Sequence, residues 1–356
     1  MPRVWEVPVH DSTRVRDARV AAEAAAARAG LDEGRAAGCA LVATELATNL
    51  LKHAGGGLIL LDVVSRPAPE RADGAAPMVQ IVAIDHGPGM RDVAGALRDG
   101  FSTTSSLGAG LGTCRRVADD FDLHSTVGRG TIALARLGAR PGRRGGPAPS
   151  PAPAVRAGGV NIPFAGADFS GDAWAWVRTG DLTTMMLADG LGHGLAAARA
   201  SSAAVEQLYR APELPPAQLL RRLEGALRDT RGAAVAVAQL DVAAGQLLFA
   251  GIGNIGARLR TGANWQPLLS RPGIVGAHRA ARLPQHEVAW GDDCLLVLHS
   301  DGLPSRWSPG PAAHSPSLDP AVIAAVIVRD ASSPARPVRD DTTVAVLSPS
   351  PSDRLP

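Results

Sequence analysis

Asp85-His86-Gly87-Pro88-Gly89 stands directly after the apolar run Val79 to Ile84. That run has the length of a strand. An Asp at the C-terminal end of a strand sits where α/β folds place their ligands. Its carboxylate can accept a hydrogen bond from an exocyclic amine such as that of adenine. The two glycines let the backbone come close to a flat base. Alone, the segment is equally an ordinary Gly-Pro turn, so its neighbours decide. Upstream, Glu45-Leu46-Ala47-Thr48-Asn49 lies in a stretch of helical spacing, Gly34 to His53. Glu45 and Asn49 are four apart and share a face. They suit a metal and a water, or else a solvated face. Downstream, Gly100 to Thr113 reads GFSTTSSLGAGLGT and opens a helix expected over Gly110 to Phe121. Its backbone N–H groups and the helix N-terminus make an anion site under a Gly/Ser/Thr lid. No Lys-Ser/Thr pair follows the glycines, so this is not a Walker A loop.

Around these pieces the first half alternates strand and helix. Trp5 to Val9, Leu58 to Val64, Val79 to Ile84 and Thr131 to Leu137 read as strands, and Arg14 to Ala29 as an Ala-rich helix. Arg66 to Pro77 reads as an inserted hairpin loop. Residues 138–156, GARPGRRGGPAPSPAPAVR, carry no apolar period and read as an extended linker. The expected domains are 1–137 and 157–347, with a tail at 348–356.

The second half sets acidic residues beside glycines or other acids at the ends of apolar strands. They are Gly171-Asp172, Asp189-Gly190-Leu191-Gly192-His193-Gly194, Asp301-Gly302 and Asp340-Asp341-Thr342-Thr343. Any one Asp-Gly is a turn. Several that converge hold divalent cations through oxygen, and two ions about 4 Å apart activate a water and clamp a phosphoryl group. Expected strands are Trp174 to Val177, Thr183 to Ala188, Ala233 to Asp241, Gln246 to Ala250, Leu295 to His299 and Thr342 to Leu347. Helices are expected at Gly194 to Tyr209 and Pro216 to Arg228.

The order and spacing of the first three motifs, with Gly128-Arg129-Gly130-Thr131 after them, resemble the Bergerat-fold ATPases, the superfamily of gyrase and histidine kinases. The wording ELATNLLKHAG, DHGPGM and GAGLGTCRRVADDF resembles the anti-sigma and switch-kinase branch of the RsbT and SpoIIAB kind. That resemblance implies ATP and Mg²⁺ as cofactors. Asn49 would hold the Mg²⁺ and Glu45 would be the base for a Ser or Thr hydroxyl. Asp85 would bind adenine, with Gly87, Gly89 and Thr131 beside it, and Gly108, Gly110 and Gly112 would wrap the phosphates. The second half resembles the PP2C-like metal-dependent phosphatases in their SpoIIE and RsbX branch. There Asp172, Asp189, Asp301, Asp340 and Asp341 would be ligands for two Mn²⁺ or Mg²⁺ ions, and Gly190 would lend its carbonyl. His193 is either an acid near the leaving group or a helix-starting residue. Phe249 to Asn254 resembles a structural turn of that family. Pro304-Ser305-Arg306 departs from its usual acidic residue.

Together the resemblances imply an α+β chain: a Bergerat-fold α/β sandwich and a PP2C-like αββα sandwich on a Pro/Gly-rich linker. They imply a bifunctional regulator that phosphorylates and dephosphorylates a STAS-domain anti-anti-sigma or stressosome protein. A sigma factor or downstream regulator is a further partner in such pathways, and a homodimer is open to the first half. The alternative is a phosphatase carrying a non-catalytic ATP-binding sensor or anti-sigma module.

Composition bounds the rest. The chain has 356 residues, of which 46% are hydrophobic and 3% aromatic, so its cores are built from Ala, Val and Leu. A net charge of +2 and no long basic run argue against a nucleic-acid partner. Cys39, Cys114 and Cys294 form no Cys-x-x-Cys pair, which argues against a disulfide framework or zinc knuckle. No apolar stretch is long enough for a membrane span or signal peptide, so the expected location is the cytoplasm.

Overall fold

A computed structural model describes residues 3–65, 77–97, 110–139, 154–277, 283–304, 307–308, 310, 315, 317–332 and 340–351. The described residues 3–139 form one compact unit and 154–351 another. Gly108 and the lid at 100–109, the loop at 66–76, residues 140–153 of the expected linker, Ser305, Arg306 and the last five residues lie outside the described residues.

The first unit is a five-stranded sheet with helices on one face. Its strands are β1 (Trp5–Val9), β2 (Gly57–Ser65), β3 (Pro77–Ile84), β4 (Asp120–Thr126) and β5 (Gly130–Gly138). They lie in the order β1-β2-β3-β5-β4, and every neighbouring pair is antiparallel. The helices are α1 (Ser12–Arg28), α2 (Glu33–Asn49), the short α3 (Val93–Ala96) and α4 (Gly110–Val117). Both long helices start on an Asp. Asp11 accepts from Thr13 N and Asp32 from Arg35 N, each at 2.8 Å, which satisfies N–H groups that a helix start leaves orphaned. Ala22 and Ala26 of α1 and Ala43 and Leu46 of α2 pack on Ile59, Ile81 and Ala135. Small alanines let the helices lie close to each other and to the sheet, which is how a core forms with so few aromatics. After Asn49 the helix widens into a π turn, Leu50–Ala54, closed by left-handed Gly55. Such turns are uncommon and gather at functional sites.

The second unit is a four-layer sandwich. One sheet has β7 (Asp172–Thr179), β8 (Leu182–Gly190), β9 (Ala233–Asp241), β10 (Gln246–Ile252) and β13 (His286–Ala289). The other has β6 (Val155–Ile162), β11 (Gly256–Thr261), β12 (Asn264–Pro267), β14 (Leu295–His299) and β15 (Thr342–Pro349). Their orders are β13-β10-β9-β8-β7 and β12-β11-β14-β15-β6. Met185, Leu187 and Phe249 face Leu259, Leu298 and Ala345 between the sheets. Met186 and Val237 point the other way, under Leu208 of α5 (Gly194–Arg210) and Leu220 of α6 (Pro216–Ala226). Strand alternation sends neighbours to opposite faces, so a strand covered on both faces is apolar throughout. α7 (Pro320–Ala331) lies on β6 and β15 as the fourth layer. Each fully buried Leu or Met contributes about 1.5–3 kcal/mol.

Several boundaries differ from the expectations. The helix at Gly110 ends at Val117, and Phe121 belongs to β4. Phe121 and Leu123 turn to the core, while Asp119 Oδ2 accepts from Gly138 N at 2.8 Å and ties the new strand to β5. Gly138 closes β5. Val155 and Arg156, read as linker, begin β6, and Ser348 and Pro349, read as tail, pair with them in β15. Ladder bonds and burial of Val155 between the sheets outweigh the loop-like composition there. Among the described residues no helix is long and apolar enough to cross a membrane.

Candidate functional sites

The first site gathers at one edge of the α2 layer. Asp85 follows β3 and is buried. Its Oδ1 accepts from Gly87 N at 2.8 Å and Thr131 N at 3.1 Å, and its own N–H donates to the Thr131 carbonyl at 3.0 Å. Thr131 is held in turn by Ser125, whose Oγ is 2.9 Å from Thr131 Oγ1. The expected neighbours Asp85 and Thr131 therefore form one hydrogen-bonded unit. A Cβ at Gly87 would lie 2.6 Å from the Ala54 Cβ at the end of the π turn, so the glycine is required by close approach. At Gly89, φ is +69° and a Cβ would meet the Thr126 carbonyl at 2.3 Å. A Cβ at Gly110 meets nothing within 4 Å; packing does not explain that glycine. Gly112 is buried inside α4.

Glu45 and Asn49 occupy the last turns of α2, the element packed on α4. The Cys114 thiol of α4 is pushed up to about 12, first by burial and then by the Glu45 carboxylate. Glu45 thus stands over the helix that follows the glycine-rich loop.

The second site lies at the ends of four strands. Asp172 opens β7 directly across from Asp189 in β8, and Asp301 follows β14 while Asp340 and Asp341 precede β15. Asp189, Asp301 and Asp340 line a cleft of about 600 Å³ together with Leu191, Gly192 and His193. Burial raises the Asp189 carboxyl to about 7, and Asp301, Asp340 and Asp341 push the same way. Asp301 is raised by burial and by Asp340, against a 2.6 Å hydrogen bond from Asn254 Nδ2. Asp172 is only 1% exposed. Neither of its oxygens has a hydrogen-bond partner of good geometry among the described residues. Its carboxyl is raised well above the usual range by burial and Asp189, with partial relief from the Ser300 and Thr343 hydroxyls.

Asp341 behaves differently. Its two oxygens accept from Phe164 N and Gly171 N, both at 2.8 Å. It pins the loop that delivers Asp172 and does not line the cleft. Adjacent residues entering a strand face opposite ways, which separates it from Asp340. Gly190 ends β8 against α5, where a Cβ would meet the Ala197 carbonyl at 2.0 Å. His193 is the N-cap of α5 and makes no capping bond with its side chain.

Among the described residues no three Asp, Glu, His or Cys side chains are gathered as a finished cation cluster. The carboxylates share a cleft, where like charges disfavour each other. The donor set nevertheless fits a hard divalent cation: all ligand atoms are oxygen, and the buried, unpartnered oxygens of Asp172 need a positive charge or a donor. Sequence reasoning missed Asn254, whose stretch was read as a turn without chemistry. It also missed the anchoring role of Asp341.

The histidine kinase-like ATPase domain model matches residues 9–136. The Stage II sporulation protein E model matches residues 179–349, beginning past Asp172. The serine/threonine-protein kinase RsbT of Bacillus subtilis (strain 168) is 41% identical over 88 residues, 25% of this chain and 61% of that protein. This chain therefore spans less than two thirds of that relative's length. A chain from the bacterial stressosome, 24% identical, shares the fold with a TM-score of 0.50 over 54% of this chain and 98% of its own. RsbX in complex with magnesium is 18% identical, with a TM-score of 0.48 over 55% of this chain and 96% of its own. Two domain families thus meet in one polypeptide, a histidine kinase-like ATPase domain in residues 9–136 followed by a Stage II sporulation protein E domain in residues 179–349.

Proposed function

We propose that this chain sets the phosphorylation level of a STAS-domain partner from both sides, as an ATP-dependent Ser/Thr kinase in residues 1–137 and a metal-dependent phosphoserine/phosphothreonine phosphatase in residues 157–347. The observation that carries the reading is the cleft of Asp189, Asp301 and Asp340 backed by the unpartnered, buried Asp172. Such a set is costly unless it holds cations. With the Gly190 carbonyl, these residues would hold two Mn²⁺ or Mg²⁺ ions, which when bound supply an activated water and offset the charge of the phosphoryl group. Asn254 orients Asp301. Asp341 fixes the loop before Asp172 and so acts by position.

In the first half, Asp85 and Thr131 form the acceptor that reads the adenine amine. Gly87 and Gly89 would bring the backbone to the base, and by the family resemblance Gly110 and Gly112, with Gly108 outside the described residues, would wrap the phosphates. Asn49 would hold Mg²⁺, and Glu45, on the same face, would take the proton of the substrate hydroxyl. Likeness to the RsbT kinase supports the reading in this half. The setting is the cytoplasm and a partner-switching pathway, in which a sigma factor or other downstream regulator would respond.

Intact mass of a purified STAS partner tests this. With ATP and Mg²⁺, the partner gains one phosphate, and Glu45→Ala blocks the gain. With Mn²⁺ and no ATP, the phosphate is lost, and Asp189→Ala blocks the loss. Loss without any gain would reduce the first half to an ATP-binding sensor. Failure of both, together with no hydrolysis of an aryl phosphate, would end the reading.

A further inference from the structure

Among the described residues, no Lys or Arg lines the acidic cleft. A phosphomonoester dianion has to enter it past several carboxylates. We propose that Arg231 is the residue that receives the substrate phosphate at the mouth of this cleft. The inference rests on the phosphatase reading and names a substrate-binding residue within it.

Arg231 sits in the turn between α6 and β9, and its guanidinium rests against Gly192 in the cleft wall. A Cβ at Gly192 would lie 2.8 Å from Arg231 Nη1. Gly192 has φ +91°, so a side chain there is disfavoured by both backbone and space. The turn that carries Arg231 is rigid. Thr230 Oγ1 donates to the Leu227 carbonyl at 2.7 Å and accepts from Gly232 N at 3.0 Å. Gly232 in turn accepts from Leu191 N at 3.0 Å, and Ala233 exchanges backbone bonds with Val275. The Leu191–Gly192 wall and the arginine's own backbone are therefore one hydrogen-bonded piece.

The side chain is not otherwise used. Arg231 is exposed and has no ion pair or hydrogen bond with any described residue. Arg271, beside the lining residue Pro272, is already engaged. A guanidinium offers paired donors that match two oxygens of a phosphate. Here it would stand at the rim, outside the carboxylates, where it offsets their field without neutralising them.

The test uses the full chain with Mn²⁺, para-nitrophenyl phosphate as substrate and inorganic phosphate as inhibitor. In Arg231→Ala we expect KM for the ester and Ki for phosphate to rise together by about tenfold or more, as loss of a charge-assisted contact predicts. kcat should change far less. Arg231→Lys should recover part of the loss, because charge returns without the fork. Added salt should weaken phosphate inhibition of the wild type and leave that of Arg231→Ala nearly flat. The thermal midpoint should not move, since the side chain is exposed. KM and Ki within twofold of wild type would overturn the assignment while leaving the phosphatase reading intact. A wild type that hydrolyses no phosphate ester would remove that reading and this one with it.

Discussion

Asp85 and Asp172 are both buried aspartates at strand ends, and the fold treats them in opposite ways. Asp85 Oδ1 is met by two backbone N–H groups, from Gly87 and Thr131. Asp172 is deeper, has no hydrogen-bond partner of good geometry among the described residues and faces Asp189 across the β7–β8 ladder. The first carboxylate is oriented by neutral backbone donors. The second is held at a cost that the Ser300 and Thr343 hydroxyls relieve only in part and that a positive charge would offset. The difference follows from local chemistry: a glycine-rich turn can offer N–H groups, whereas antiparallel strand ends carrying Asp bring carboxylate to carboxylate.

The largest effect is expected at the charged site. Asp189→Asn should lower phosphate-ester hydrolysis by about 10³-fold or more, roughly 4 kcal/mol. In buffer without divalent cations the same change should raise the melting temperature of the C-terminal unit, because it removes repulsion with Asp301, Asp340 and Asp341. A variant that loses activity and stability together would show that the carboxylates are not in conflict. The comparison with Asp85 would then fail.

Next comes the scaffold of the first unit. Arg35 is buried, donates through Nε to the Gly138 carbonyl, and pairs through its guanidinium with Asp119. It ties the start of α2 to the β4–β5 edge. Arg35→Ala should destabilise this unit by about 3 kcal/mol, within the range for breaking a buried ion pair, as read by urea denaturation. A loss under about 1 kcal/mol would mean that the contacts are made at no net gain.

Asp85→Asn should be milder and more selective. Asn keeps an oxygen for the two backbone N–H groups but sets an NH₂ where the carboxylate has its second oxygen. Donor would then meet the adenine amine. We expect ATP binding to weaken about tenfold to a hundredfold by calorimetry, with the fold intact. Equal binding would show that adenine is read elsewhere.

How much of this was legible in the residues depended on the signal each element left. Trp5–Val9, Ala233–Asp241 and Leu295–His299 fall where their apolar runs do. α7 left no such trace. PAVIAAVIVRDA is buried almost throughout, so it has no polar face to create a helical period. Its one marker was Asp319 before Pro320, a cap whose side chain accepts from Ala321 N. β4 hid inside DFDLHST, where alternation was present but the preceding helix was read through it. At the sites, sequence placed Asp85 and the acidic strand ends; between the two adjacent aspartates it was the family resemblance, not spacing, that put Asp340 ahead of Asp341. That choice is made by Phe164 N and Gly171 N, distant in sequence from Asp341. Arg231 had no motif at all; its interest comes from a glycine nearly forty positions away.

The smallest expected effect concerns a carboxylate outside both sites. Asp62 on β2 accepts from Gln80 Nε2 at 3.3 Å, and Gln80 Oε1 accepts from Arg136 Nε at 2.9 Å. Burial raises its carboxyl to about 7, against the pull of Arg136 and Gln80. A raised carboxyl holds its proton in the folded chain at pH values where the unfolded chain has lost it. Fewer protons bound when unfolded means that stability falls as pH rises. The decline should run from about pH 4 to about pH 7 and then level off. Asp62→Asn, which carries no titrating proton, should flatten that decline in the first unit. A rise of about three pH units bounds the effect at roughly 4 kcal/mol, and solvent screening at this partly exposed side chain brings it to the order of 1 kcal/mol. A slope unchanged in Asp62→Asn would mean that Arg136 already neutralises the carboxylate. Asp62 would then belong with Asp85, among the acids that the fold satisfies from within.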